Sequence, residues 1–185
     1  MQIKILLELC RGVTWPSINI EGTVDTVVID KTENLRNVII TCYPANNQVV
    51  LHRINKQVSD TVVCNGEIVQ DQTVSLKKIW VDNILLDTDL ILNLAMYHNA
   101  FSQDYLDYCA QQHLDPEPVQ THWHTWYFNG IWQWQFEQPF WIWYCQQRQN
   151  KQKLGLTKEQ VELYVGTGTD KHQQLMQQLK TLLQP

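Results

Sequence analysis

Between Lys78 and Arg148 the chain has no lysine and no arginine. The same stretch carries Asp82, Asp87, Asp89, Asp104, Asp107, Asp115, Glu117 and Glu137, with four of the six histidines. Nucleic-acid binding draws much of its free energy from cations that displace counterions at phosphates. An acid-bearing segment without such cations makes a poor groove for single strands, however aromatic it is. No nucleic-acid partner is therefore expected. Long apolar runs are also missing. The stretches near 1–9 and 84–96 are broken by charge and fall short of the roughly 20 residues that a spanning helix needs. The opening MQIKILLELCRG has neither a basic start nor a small-residue cleavage site, so no signal peptide and no membrane role are expected. Cys10, Cys42, Cys64, Cys109 and Cys145 are odd in number and widely spaced, without a C-x-x-C pair. This reads as reduced thiols, not a disulfide framework. G-x-S-x-G, P-loop and G-x-G-x-x-G signatures are absent too, and the protein is read as not an enzyme.

What is present is β-rich sequence. IKILLEL, GTVDTVVID, NVIITCYP, QVVLHRI, DTVVC, EIVQD, TVSLKKIWV and NILL are short runs rich in Val, Ile and Thr, mostly bounded by turn residues. TVVC-NG-EIVQ predicts a hairpin, because Asn65-Gly66 suits the left-handed angles of a type I′ turn. Eight such runs predict a mainly β fold with a jelly-roll-type β-sandwich over 1–92. From 93 to 114, apolar residues at 94, 97, 101, 105 and 108 approach helical spacing, with Asn99 or Ser102 able to cap or restart a helix and Asp115-Pro116 ending it. A second hairpin, HWHTWYF-NG-IWQWQFE, is predicted about Asn129-Gly130. FWIWYCQQRQ then forms a strand or a short helix. The tail reads as two helices, with a capping box at Thr157–Gln160 and a Leu/Met stripe over 175–183. Residues 93–185 are thus expected as an α+β lobe packed on the sandwich.

Six of the eight tryptophans fall within 121–144. Trp123, Trp126, Tyr127, Trp132, Trp134, Trp141 and Trp143 are the candidate ligand or interface residues. Alternation places Trp132, Trp134 and Phe136 on one strand face and Gln133, Gln135 and Glu137 on the other. Three readings stand: core packing, which alternation favours; a protein–protein surface; and a platform stacking on sugars. His122 and His124, at i and i+2 on a strand, would share one side and could chelate a metal with His113, Asp115 or Glu117 as a third ligand. Asp82, Asp87 and Asp89 are candidate calcium ligands, equally well read as turn residues. No cofactor is required, calcium being the one considered.

Residues 52–87, HRINKQVSDTVVCNGEIVQDQTVSLKKIWVDNILLD, carry a resemblance in Asn55-Lys56, Asp60-Thr61, Gly66 to Gln72 and Ile79 to Ile84. Here the sequence resembles small β-sandwich proteins of tailed phages, T4-like marine phages in particular. The Asn-Gly aromatic segment and the Pro-Phe-Trp and Trp-Tyr of 139–144 fit the same group. That sandwich is similar in turn to calcium-dependent carbohydrate-binding modules, though the Asn-Asp and Asp-Arg-Asn elements that help hold calcium are missing here. The resemblance implies a structural or virion-associated protein, found in the virion or host cytoplasm, whose partners are other subunits or itself. A glycan partner is the alternative.

Overall fold

Strict alternation in IKILLELC makes β1 (Ile3–Cys10), which buries Ile3, Ile5, Leu7 and Leu9 on one face. The computed structural model describes residues 1–21 and 24–155. After β1 come β2 (Ser17–Ile20), β3 (Val24–Lys31), β4 (Leu35–Cys42) and β5 (Gln48–Ile54). A 3-10 turn at Val58–Asp60 leads to β6 (Val62–Cys64), β7 (Glu67–Gln70), β8 (Thr73–Val81) and β9 (Ile84–Leu85). Next are α1 (Thr88–Leu94), β10 (Ala95–Ala100), α2 (Gln103–Gln111), β11 (Val119–Gln120), β12 (Thr125–Trp126), β13 (Asn129–Gln135) and α3 (Phe140–Gly155). The fold is mainly β, a sandwich with a helical C-terminal region. Among the described residues no helix is long and apolar enough to cross a membrane.

One sheet runs β12-β8-β1-β4-β3, with β9 also on β8; the other runs β11-β10-β13-β5-β2; β6 and β7 pair only with each other. All pairs are antiparallel. The inner face of the first sheet is aliphatic: Ile3, Ile5, Leu7, Val38, Ile40, Val74, Leu76, Ile79 and Val81 are all buried. The second sheet answers with aromatics. Across its strands Tyr97, Trp132 and Leu51 form one row, and Ala95, Trp134 and Val49 the next. Trp126, at the edge of the first sheet, stacks on Tyr97 at 5.0 Å and 11° and lies 6.1 Å from Trp132. Trp134 and Phe136 continue the line at 6.5 and 5.2 Å. The Trp126 indole N–H has no hydrogen-bond partner among the described residues, so packing alone holds the ring.

The expected second hairpin does not form. Trp126 and Thr125 pair with β8 in one sheet, whereas β13 lies between β10 and β5 in the other. Neither Asn129 nor Gly130 has a positive φ, unlike Asn65 (53°) and Gly66 (83°), which make the hairpin predicted there. Gly130 serves another purpose: a Cβ there would lie 2.9 Å from the Tyr97 ring and 2.2 Å from the His98 carbonyl oxygen. Glycine is required for close approach, not for a turn.

The helix expected over 93–114 divides into α1, β10 and α2. Its apolar spacing spans three elements and matched a helix by coincidence. Asp87 caps α1 through Leu90 N–H at 3.0 Å, and Ser102 caps α2 through Tyr105 N–H at 3.3 Å. Between them the backbone is claimed by β13 and β11. The boundary expected near residue 92 also moves. The compact units are Met1–Gln138 and Pro139–Pro185, because β10, β11 and β13 share a sheet with β5 and β2. In the second unit α3 resolves the strand-or-helix alternative as helix; the helices expected beyond 156 lie outside the described residues.

Trp134 is 0% exposed, so Trp134→Ala leaves an aromatic-sized hole. We expect it to lower stability by about 3–5 kcal/mol, read as a shift of the urea unfolding midpoint at unchanged slope. Trp123→Ala, at an exposed ring, should change stability by less than about 0.5 kcal/mol.

Candidate functional site

Among the described residues the sandwich holds a charged cluster in its interior. Arg53, 1% exposed, follows Val49 and Leu51 on the inward face of β5. Its guanidinium donates to the carbonyls of Trp126 (2.6 Å), Phe128 (2.7 Å) and Gln72 (2.5 Å). Burial pulls its pKa down, while Tyr97 and the carboxylates of Asp71 and Asp60 act the other way. A guanidinium nonetheless stays protonated. Burial likewise pushes the Tyr97 phenol up to about 12, and its hydroxyl donates to Phe128 O at 2.6 Å.

Beside Arg53 lie Asp60, Gln72, Lys56 and Asp71. Lys56 pairs with Asp71, and its backbone N–H and C=O are both held by the Asn129 side chain at 2.8 and 3.0 Å. Desolvation lowers the Lys56 pKa and the Asp71 contact opposes that shift. Asp60 is fully buried and accepts from Thr14 N–H (2.7 Å), Gln57 N–H (2.9 Å), Thr14 Oγ1 (3.1 Å) and Gln72 Nε2 (3.3 Å). Burial alone would raise its carboxyl. The N–H groups of Gln57 and Thr14, the Thr14 hydroxyl and the Lys56 charge together hold it below the ordinary carboxylate value. Gly12 admits this contact, since a Cβ there would fall 2.5 Å from the Asp60 carbonyl oxygen.

This cluster grips the base of the β6–β7 ribbon. Thr61 Oγ1 donates to Asp71 at 2.6 Å, which ties the residue before β6 to the one just after β7. Gln70 Nε2 donates to Gly12 O at 2.8 Å. Beyond the clamp, every residue from Val62 to Gln70 is exposed. Val62, Val63, Ile68 and Val69 are all more than a third exposed, Ile68 at 65%. The ribbon is thus rigid at its root and apolar on its shaft. A second exposed apolar run, Val27-Val28-Ile29, lies on β3 at the end of the first sheet. That edge is guarded: the β3–β4 register shifts between Val28 and Asp30, and Asp25, Asp30 and Lys31 flank the run. Bulges and charges at an edge are devices against pairing. The ribbon shaft carries a single charge, Glu67.

The expected site residues scatter. Trp126, Trp132, Trp134 and Trp143 are buried, Trp141 is half-buried, and Trp123 and Tyr127 are exposed. Within the second unit Phe140 stacks on Tyr144 at 5.9 Å, with Trp141 edge-on to both and Trp143 5.8 Å from Phe140. Trp123 and Tyr127 meet edge to face at 6.3 Å. His122 and His124 do not share a strand, since β12 begins only at Thr125 and His122 has φ of 68°. His122 bonds Asn93, and His124 lies 3.5 Å from Asp89. Asp82 accepts from Gln2 N–H at 2.8 Å and Asp87 caps α1. No three His, Cys, Asp or Glu side chains gather to hold a metal among the described residues. The turn and cap reading fits Asp82 and Asp87; neither metal set is assembled.

Comparison with family models, with curated proteins and with solved structures finds no match to this protein.

Because the folded Asp60 carboxyl is held below its unfolded value, its contribution is complete near neutrality. It is lost as pH falls from about 3.9 through the folded value. Asp60→Asn should therefore melt lower than the parent at neutral pH, with the difference shrinking in acid. Melting temperature against pH for both proteins measures this; parallel curves would show that Asp60 is not the titrating support.

Proposed function

We propose that the protein is a non-catalytic structural or virion-associated component of a tailed phage, working by protein–protein assembly in the virion or host cytoplasm. One observation carries the assembly reading: the β6–β7 ribbon exposes Val62, Val63, Ile68 and Val69 from a base fixed by the half-buried Lys56–Asp71 pair and the Thr61–Asp71 hydrogen bond. Stable monomers bury such residues, and exposed apolar patches favour interfaces. A two-stranded ribbon has little independent stability, so the rigid clamp at its root keeps it presented. The phage assignment leans on the resemblance across residues 52–87, whose central stretch is this ribbon.

Trp123 and Tyr127 favour a second reading. Two exposed rings at 88° form a corner, and His124, next to Trp123 in the chain, lies 3.5 Å from Asp89. Such a corner suits a sugar face and edge together. In this reading Trp132 and Trp134, being buried, take no part, and the platform shrinks to two rings.

The assembly reading is tested by light scattering over a dilution series. The parent mass should rise with concentration, and Val63→Lys with Ile68→Lys should hold it at the monomer while leaving the melting temperature unchanged. A parent that stays monomeric at every concentration refutes self-assembly. For the glycan reading, titration with bacterial polysaccharides should shift the tryptophan emission and Trp123→Ala should abolish the shift; a flat response removes it.

A further inference from the structure

The sequence contains two Asn-Gly pairs, and the fold treats them oppositely. Asn65-Gly66 is the exposed tip of the ribbon, with positive φ at both residues. Open space surrounds Gly66, where a Cβ would meet nothing within 4 Å. The Asn65 side chain makes no hydrogen bond among the described residues. The ribbon around it has three residue pairs, interrupted by a register shift between Val62 and Val63. Such a ribbon opens locally at small free-energy cost. Asn129-Gly130 is the reverse. The Asn129 amide accepts from Lys56 N–H and donates to Lys56 O at 2.8 and 3.0 Å. Gly130 sits in a central strand, paired with Asn99 on one side and Arg53 on the other.

We infer that Asn65 is a site of spontaneous backbone modification and that Asn129 is protected from the same chemistry by the fold. The reaction needs no enzyme. The Gly66 backbone nitrogen attacks the carbonyl carbon of the Asn65 side-group amide, forming a new C–N bond. The bond from that carbon to the amide nitrogen breaks, and that nitrogen leaves as ammonia, taking up a proton equivalent to the one the Gly66 nitrogen gives up to solvent. Water then opens the resulting succinimide ring at either carbonyl, giving aspartate or isoaspartate. The amide nitrogen is replaced by an oxygen from water, and nothing is oxidised or reduced. Glycine permits the attack because no side group shields its nitrogen. At Asn129 the same step would require the amide to leave Lys56 and the Gly130 nitrogen to leave a ladder paired on both sides.

This inference goes beyond the assembly reading and does not depend on it, but that reading gives it a consequence. A new carboxylate would stand beside Glu67 at the ribbon tip, and isoaspartate would add a methylene to the backbone of a two-residue turn. Both changes act on the element proposed to dock, so its charge and shape would alter with the age of the protein.

The test is peptide mapping by tandem mass spectrometry of the full-length protein, aged in buffer at neutral and mildly alkaline pH. Asn65 should convert at least about tenfold faster than Asn129, because protection follows the free energy of local opening, and its rate should rise with pH as the Gly66 amide loses its proton more readily. In denaturant the two rates should converge. Equal rates in the folded protein would overturn the inference. So would a difference that persists in denaturant, since flanking sequence and not the fold would then set it. Light scattering of unaged protein reports on assembly separately, so failure of one does not resemble failure of the other.

Discussion

The rest of the structure depends on a buried positive charge. Arg53 comes from near the end of β5, an interior strand of one sheet, and its three carbonyl partners lie at Gln72, just before β8 of the other sheet, and at Trp126 and Phe128, in and just after β12. Strand β12 has only two residues, too few for its ladder to hold it alone. Arg53 and the Ser75–Thr125 hydroxyl contact at 2.8 Å secure it instead. With β12 in place, Trp126 lies under Tyr97 and the aromatic row closes. A guanidinium can be kept in such a place only if its donors are occupied and its charge is balanced. Two cations, Arg53 and Lys56, face two carboxylates, Asp60 and Asp71, so the cluster is formally neutral. Arg53 Nε is left without a partner among the described residues, a cost that the other four contacts offset.

That neutrality governs what is left for the surface. The cluster uses Thr14, Gln57, Thr61, Gln70 and Gln72 as ligands of its own charges and of the loop beside them. Of the aromatic block, Trp126, Trp132 and Trp134 are taken up by the core. What remains apolar and exposed in the first unit lies mostly on β elements, and only some of those are guarded. Strand β3 has a bulge and three charges at its apolar run, whereas the ribbon has one charge on its shaft. Unguarded apolar β structure is tolerated where something else covers it.

Much of the fold was legible because strands announce themselves by alternation and composition. Strands β1 and β4 and the buried face of Trp132, Trp134 and Phe136 follow from period two, β5 and β8 from their Val- and Leu-rich composition, and the ribbon turn from Asn65-Gly66. Partner choice was not legible. Trp134 pairs with Val49 and Ala95 at 85 and 39 residues' separation, and nothing local encodes such distances. Asn129-Gly130 shows why. The same dipeptide makes a turn at 65–66, but at 129–130 a tyrosine ring needs the space a Cβ would fill. The spacing over 94–108 misled for a related reason: tertiary pairing of β10 outweighed an apolar pattern compatible with a helix. The charged cluster left only a faint signal, an arginine on the apolar face of QVVLHRI.

The stretch from Asn55 to Gln72 can be divided by what each residue does. Asn55 holds Ser17 N–H and Trp15 O, Lys56 and Asp71 form a half-buried pair, Asp60 collects N–H groups, and Gln72 bridges Arg53 and Asp60. These polar positions are framework. They would be needed by any sequence that clamps a ribbon this way, whatever the ribbon contacts. Residues 62–69 between them bear no such duty: they are exposed throughout, and their backbone pairs only within the ribbon. Their apolar character is therefore not explained by folding. If contact chemistry is what sets them, a partner's surface constrains Val62, Val63, Ile68 and Val69, and the flanking polar residues are constrained by Arg53. The two sets can then vary independently, because they share a base and not a function.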